Sequence, residues 1–117
     1  MQENYIQIPT MLAILTINGD YLYVDRLAYT PSKDLALFYL REAYRALHAI
    51  KRNPPKDIKE NTDVAKMLEG LESKRLENEI SVIADRCNDT RKLRETLSLI
   101  CSKALAKSAQ FIKTKEV

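Results

Sequence analysis

The stretch ILTINGDYLYV, Ile14 to Val24, decides the fold. Asn18-Gly19 between runs of β-formers is the strongest short-range signal for a β-hairpin. The same dipeptide also ends helices, with a residue in the left-handed conformation just past the last turn. A half-buried hairpin alternates apolar and polar residues. Neither Ala13-Ile14-Leu15 nor Tyr21-Leu22-Tyr23-Val24 does so. Ile8, Met11, Leu12 and Leu15 recur instead at helical spacing, with Pro9 early in the run. After the glycine, Val24, Leu27 and Ala28 do the same, with Asp20 as a cap. The expectation is a helix stop between two short helices. The β-propensity of Thr16, Ile17, Tyr21, Tyr23 and Val24 keeps a small hairpin around Asn18-Gly19 as the alternative.

Downstream, TPSKDLALFYLREAYRALHAIKRNPP reads as a helix with both ends marked. Thr30, Pro31 and Ser32 offer a cap and a first-turn proline. Leu37, Leu40, Tyr44, Leu47 and Ile50 form its apolar stripe, and Asn53-Pro54-Pro55 ends it. In the next segment Val64, Met67, Leu68 and Leu71 make one stripe, and Leu76, Ile80, Ile83 and Cys87 another. The two are out of phase near Gly70, which predicts a kink or a break there. Thr62 or Asn61 caps this region. A last helix, capped by Asn88 or Asp89, carries Leu93, Leu97, Ile100, Ala104, Ser108 and Phe111 on one face. The whole chain, 1–117, therefore reads as a single all-α domain, a compact bundle of four to six helices, with a flexible tail from about residue 113.

Composition bounds the function. Apolar residues make up 45% and charged residues 30% of the 117, enough for a buried core. The longest apolar run, Leu35 to Leu40, is far short of the roughly 20 residues that span a bilayer. No export signal is legible at MQENYIQ, so a cytoplasmic protein is expected, with Cys87 and Cys101 as reduced, buried thiols. The net charge of +3 is distributed in blocks: −2 over 1–30, +4 over 31–56, −3 over 57–86 and +4 over 87–117. Such blocks suit a polyanion-binding surface or attraction between copies of one chain.

Enzyme signatures are sparse. One histidine, His48, excludes a His-based metal cluster within the chain, and two cysteines without partnering pairs disfavour zinc. Two glycines make no phosphate-cradling loop. No cofactor, metal or catalytic residue is expected. A Cys87, His48 and Asp85 nucleophile arrangement is conceivable, but Cys87 falls on an apolar stripe and reads as core. Glu69, Glu72, Glu77 and Glu79 read as a solvated face paired with Lys66, Lys74 and Arg75.

The remaining pattern is basic. Arg41, Arg45, His48 and Arg52 fall at i, i+4, i+7 and i+11 on one helix, bordered by Lys51. Lys92, Lys103 and Lys107 run along a flank of the last helix, with Thr96, Gln110 and Leu99 among them. Cations spread along a helix suit a phosphate backbone. Arg41, Arg45, Arg52, Lys92, Lys103 and Lys107 are thus the candidate nucleic-acid contacts. Glu42 beside Arg45 and Glu95 beside Lys92 weaken both rows. Tyr21, Tyr23 and Tyr29 offer rings for stacking on bases or for sealing an interface.

The segment MLAILTINGDYLYVDRLAYTPSKDLALFYLREAYRAL resembles the small subunit of archaeal type I-A CRISPR Cascade complexes. The likeness lies in the apolar helix ending at Gly19-Asp20, the YVDRLA turn from Tyr23 to Ala28 and the SKDLALFYLREA helix start from Ser32. The resemblance covers about a third of the chain. It implies a non-catalytic helical subunit of an antiviral surveillance ribonucleoprotein, present in several copies. Its partners would be other Cascade-type subunits, copies of itself, and the backbone of single-stranded DNA or RNA, bound weakly and without sequence preference. It implies no membrane. Some members carry a small β-element, which would favour a hairpin at Asn18-Gly19 or near Pro54. The resemblance brings no binding motif to place residue by residue, so the candidate contacts rest on the basic rows. Two other classes stand beside it: a helical protein–protein adaptor that self-associates through its charge blocks, and a small enzyme.

Overall fold

Helix α1 (Gln7–Ile17) ends in two reversed hydrogen bonds, from Asp20 N–H to the Leu15 carbonyl and from Gly19 N–H to the Thr16 carbonyl, each 2.9 Å. Gly19 has φ +90°. Together these form a Schellman stop, which satisfies carbonyls that the helix end would leave open. A β-carbon on Gly19 would touch nothing within 4 Å, so the glycine is required by backbone conformation rather than by crowding. This computed structural model describes residues 5–111, and among them there is no strand. Asn18-Gly19 is a helix stop, and no hairpin forms there or near Pro54.

Seven helices are present among the described residues. After α1 come α2 (Leu22–Tyr29), α3 (Lys33–Arg52), α4 (Lys56–Glu60), α5 (Thr62–Glu69), α6 (Ser73–Arg86) and α7 (Thr90–Ala109). The count exceeds the expected four to six because the chain after Pro54-Pro55 coils into the single turn of α4 instead of remaining a link. The caps divide between expected and unexpected. Ser32 accepts from Leu35 N–H, Asn61 from Val64 N–H and Asp89 from Lys92 N–H. Pro31, however, precedes the cap of α3 and is not in its first turn, and Asp20 does not cap α2, which starts after Tyr21 with no side-chain cap. The tail expected from about residue 113 lies outside the described residues.

The sequence predicts an amphipathic α1. The structure buries it on nearly every side: Gln7, Ile8, Pro9 and the run Met11 to Thr16 are all buried. A helix that is apolar all round belongs in the middle of a fold. α7, α3, α6, α5 and α2 all pack against α1, α2 also packs on α3 and α7, and α4 packs on α5. One core of buried apolar side chains joins all seven helices.

The buried N-terminus of α1 needs partners for its first N–H groups. They come from far away in sequence. The Glu79 carboxylate, on α6, accepts from Ile6 N–H at 3.3 Å, Gln7 N–H at 3.1 Å to either oxygen, and Ile8 N–H at 3.0 Å. The next residue is Pro9, which has no N–H to satisfy. Gln7 completes the junction. Its Nε2 donates to the Gly70 carbonyl at 3.3 Å, and its Oε1 accepts from Glu72 N–H at 3.0 Å. The expected break near Gly70 is therefore real, and the Gln7 amide bridges it. Gly70 itself is helical, with φ −75°.

This corrects the reading of the acidic residues. Glu79 is buried, not solvated, and Glu77 accepts a 2.7 Å hydrogen bond from the Tyr44 hydroxyl. None of Lys66, Lys74 and Arg75 forms an ion pair with Glu69, Glu72, Glu77 or Glu79.

Cys87 and Cys101 are free and buried. The Cys101 thiol donates to the Val24 carbonyl at 3.7 Å, and burial pushes its pKa up to about 11. Only the thiolate reacts with alkylating reagents. Cys101 is therefore expected to resist alkylation at pH 8 while the chain is native and to label readily once it is unfolded, as counted by mass spectrometry. The raised value also fixes a sign. An unfolded Cys101 ionises near 9 while the folded one holds its proton, so its contribution to stability falls as pH rises from about 9 toward 11.

Candidate nucleic-acid interface

α3 is the longest platform for the candidate contacts, and it is well anchored. Asp34 in its first turn and Lys51 and Arg52 in its last complement the helix dipole. One flank is hydrogen-bonded to α6 and its approaches. Lys33 Nζ donates to the Ala84 carbonyl at 2.9 Å and to Asn88 Oδ1 at 3.0 Å. Tyr44 donates to Glu77 and also reaches the Ser73 carbonyl, and Lys51 Nζ donates to the Leu71 carbonyl at 2.6 Å. These bonds fix the rotation of α3 about its axis, and so fix which side chains face outward.

The outward face holds Arg41, Arg45 and Arg52, all exposed. Over eleven residues they cover roughly 16 Å of helix at 1.5 Å per residue. Arg45 pairs with Glu42 at 2.7 Å, as its spacing suggests, while Arg41 and Arg52 form no ion pair with another described residue. His48 leaves the row. It is half-buried, edge-on to Tyr44 with ring centroids 4.5 Å apart, and its Nε2 lies 3.3 Å from Ser73 Oγ. Among the described residues no carboxylate is hydrogen-bonded to its ring, so the Ser73–His48 contact lacks there the third group that orients a nucleophile–base pair. Cys87 bonds Thr96 instead, at 3.6 Å, and is not joined to His48. Among the described residues no group of three His, Cys, Asp or Glu side chains is placed to hold a metal ion.

The lysines of α7 are arranged differently. Lys103 and Lys107 line a shallow cleft with Tyr5, Ile6, Pro9 and Ala106, where α7 meets the start of α1. Lys92 lies eleven residues before Lys103, on the first turn of the helix, and forms no ion pair with Glu95. α3 and α7 each pack on α1 and α2 and have no extensive contact with each other. The structure thus brings Arg41, Arg45 and Arg52 into one row and Lys103 with Lys107 into one cleft. It does not merge the two sets into a single packed surface.

α2 and α3 also present an exposed apolar surface, of which the sequence marked only Tyr29. Leu22 and Tyr29 of α2 and Leu35 and Tyr39 of α3, with Asp25, Arg26, Thr30 and Pro31, line a groove of about 370 Å³. Tyr29 is 82% exposed and Leu22 46%, values high enough to rule them out of the core. Phe38, 53% exposed, stands beside the groove with its ring edge-on to Tyr39 at 5.2 Å. The signal was present in Leu22, Asp25, Arg26 and Tyr29, an i, i+3, i+4, i+7 stripe opposite the buried one.

The molecule is a helical bundle built around a buried central helix, with exposed cations on α3 and α7 and exposed aromatic rings on α2 and α3. It belongs to the same family as an uncharacterized protein of the archaeon Archaeoglobus fulgidus, to which it is 45% identical over 101 residues, 86% of this chain and 84% of the relative. No family model and no solved structure matches the chain. No helix among the described residues is long and apolar enough to cross a membrane.

Proposed function

We propose that this protein is a non-catalytic, cytoplasmic structural subunit of a CRISPR surveillance ribonucleoprotein of the Cascade type, touching the backbone of single-stranded DNA or RNA through α3. The observation that carries the reading is the row Arg41, Arg45 and Arg52 on the outer face of one anchored helix. The resemblance of the segment from Met11 to Leu47 to Cascade small subunits points the same way. Lys103 and Lys107 would supply a second, separate contact, with Lys92 at the far end of the same helix. Several copies aligned in a larger assembly would sum contacts that are weak singly. The exposed apolar groove of α2 and α3 favours a second reading, a helical protein–protein adaptor that self-associates and binds no nucleic acid.

Salt titration separates the two. Each phosphate contact on a single strand contributes a slope of about −0.7 in log K against log salt. An Arg41→Glu, Arg45→Glu, Arg52→Glu variant, checked for folding and measured within its native assembly, is expected to flatten the slope by about 2 and to weaken binding irrespective of base sequence. The Lys92, Lys103 and Lys107 counterpart is expected to do likewise. If both variants keep the affinity and slope of the parent, the adaptor reading stands in place of this one.

A further inference from the structure

We propose that the groove between α2 and α3 is covered by a second copy of this chain, in a two-fold dimer whose α3 helices run antiparallel and cross near Phe38. Four large apolar side chains, Leu22, Tyr29, Leu35 and Phe38, are between 41% and 82% exposed on one side of the molecule. Contiguous apolar surface of this kind on a soluble chain marks an interaction site. Phe38, edge-on to Tyr39, adjoins a groove lined by Leu22, Tyr29, Leu35 and Tyr39. A knob adjoining a groove on the same face satisfies a two-fold, because each copy supplies the knob that fills the other's groove.

The charges around the groove select the occupant. Asp25 and Arg26 line the groove, one charge of each sign. A lining with one charge of each sign suits a surface carrying the same mixture. Spacing on α3 sharpens this. Asp34, Phe38, Arg41 and Arg45 fall at i, i+4, i+7 and i+11, on one stripe. When two such stripes run antiparallel about Phe38, Asp34 of each copy faces Arg41 of the other. Both residues are exposed and neither has an ion pair with another described residue. Helix overlap then ends at about residue 43, so Arg45 and Arg52 lie beyond the partner's α3. The dimer and the nucleic-acid reading share Arg41, while Arg45 and Arg52 remain free of the partner's α3; the mass of the chain without nucleic acid tests the dimer by itself.

The test is sedimentation equilibrium of the full chain, without nucleic acid, between about 1 µM and about 1 mM. A monomer–dimer equilibrium is expected. Phe38→Glu, at a side chain more than half exposed, is expected to keep its helical circular dichroism and to raise the dimer dissociation constant at least about tenfold. Tyr29→Glu serves as the second variant if Phe38→Glu does not fold. Asp34→Arg and Arg41→Asp should each weaken the dimer, and the double exchange should restore it, because the facing pair is then re-formed with its signs reversed. A chain that stays monomeric throughout overturns the proposal and leaves the groove to a different polypeptide. So does a dimer indifferent to Phe38→Glu and Tyr29→Glu. A dimer weakened by these but not restored by the double exchange overturns the antiparallel arrangement.

Discussion

Replacing Glu79 with alanine is expected to lower the unfolding free energy by about 3 kcal/mol, a large share of the stability of a domain this size. The carboxylate is buried and accepts from the N–H groups of Ile6, Gln7 and Ile8. Its removal strands donors in a site closed by α6, each at a cost of about 1–3 kcal/mol where burial is complete. It also removes a negative charge from the positive end of the α1 dipole. Glu79→Gln keeps one acceptor oxygen and is expected to lose less. Urea denaturation of the three proteins, read by circular dichroism, checks the order. Equal stability of Glu79→Ala and the parent would mean that water replaces the carboxylate without cost. Gln7→Ala is expected to be destabilising as well, since Gln7 bridges Gly70 and Glu72.

The second large effect is expected at Ile14. It lies off the stripe of Ile8, Met11, Leu12 and Leu15, so an amphipathic α1 would hold it near water. In the structure it is fully buried. Ile14→Ala should then cost about 2–5 kcal/mol, the range for truncating a buried isoleucine or leucine. The same measurement on Leu105→Ala, at an exposed position of α7, should show a change within about 0.5 kcal/mol. A small effect at Ile14 would restore the amphipathic reading of α1.

These two residues mark where sequence reasoning stops. α3 was legible at both ends, because Ser32 and Asn53-Pro54 act on their own neighbours. The stripes of α6 and α7 were legible because a helix repeats its buried face every three or four residues. The stop at Asn18-Gly19 was legible for the same kind of reason, a local conformation that glycine supplies. The arginine row was visible as spacing, apart from His48, which Tyr44 and Ser73 draw toward α6. Glu79 gave no such sign. It stands among Glu69, Glu72 and Glu77, and its partner amides are more than seventy residues away.

The sequence by itself determined every helix except α4, the capping regions of α3, α5 and α7, and the stop after Ile17, since each depends on interactions within a few residues. The tertiary structure alone decided that α1 is enclosed on nearly every side, that Glu79 and Gln7 serve its amino end, and that Leu22, Tyr29, Leu35 and Phe38 stay outside the core. Those outcomes depend on which helix lies against which. Burial is a property of the packed assembly of helices, and the periodicity of one helix records only the side that meets its neighbours when they cover a single face.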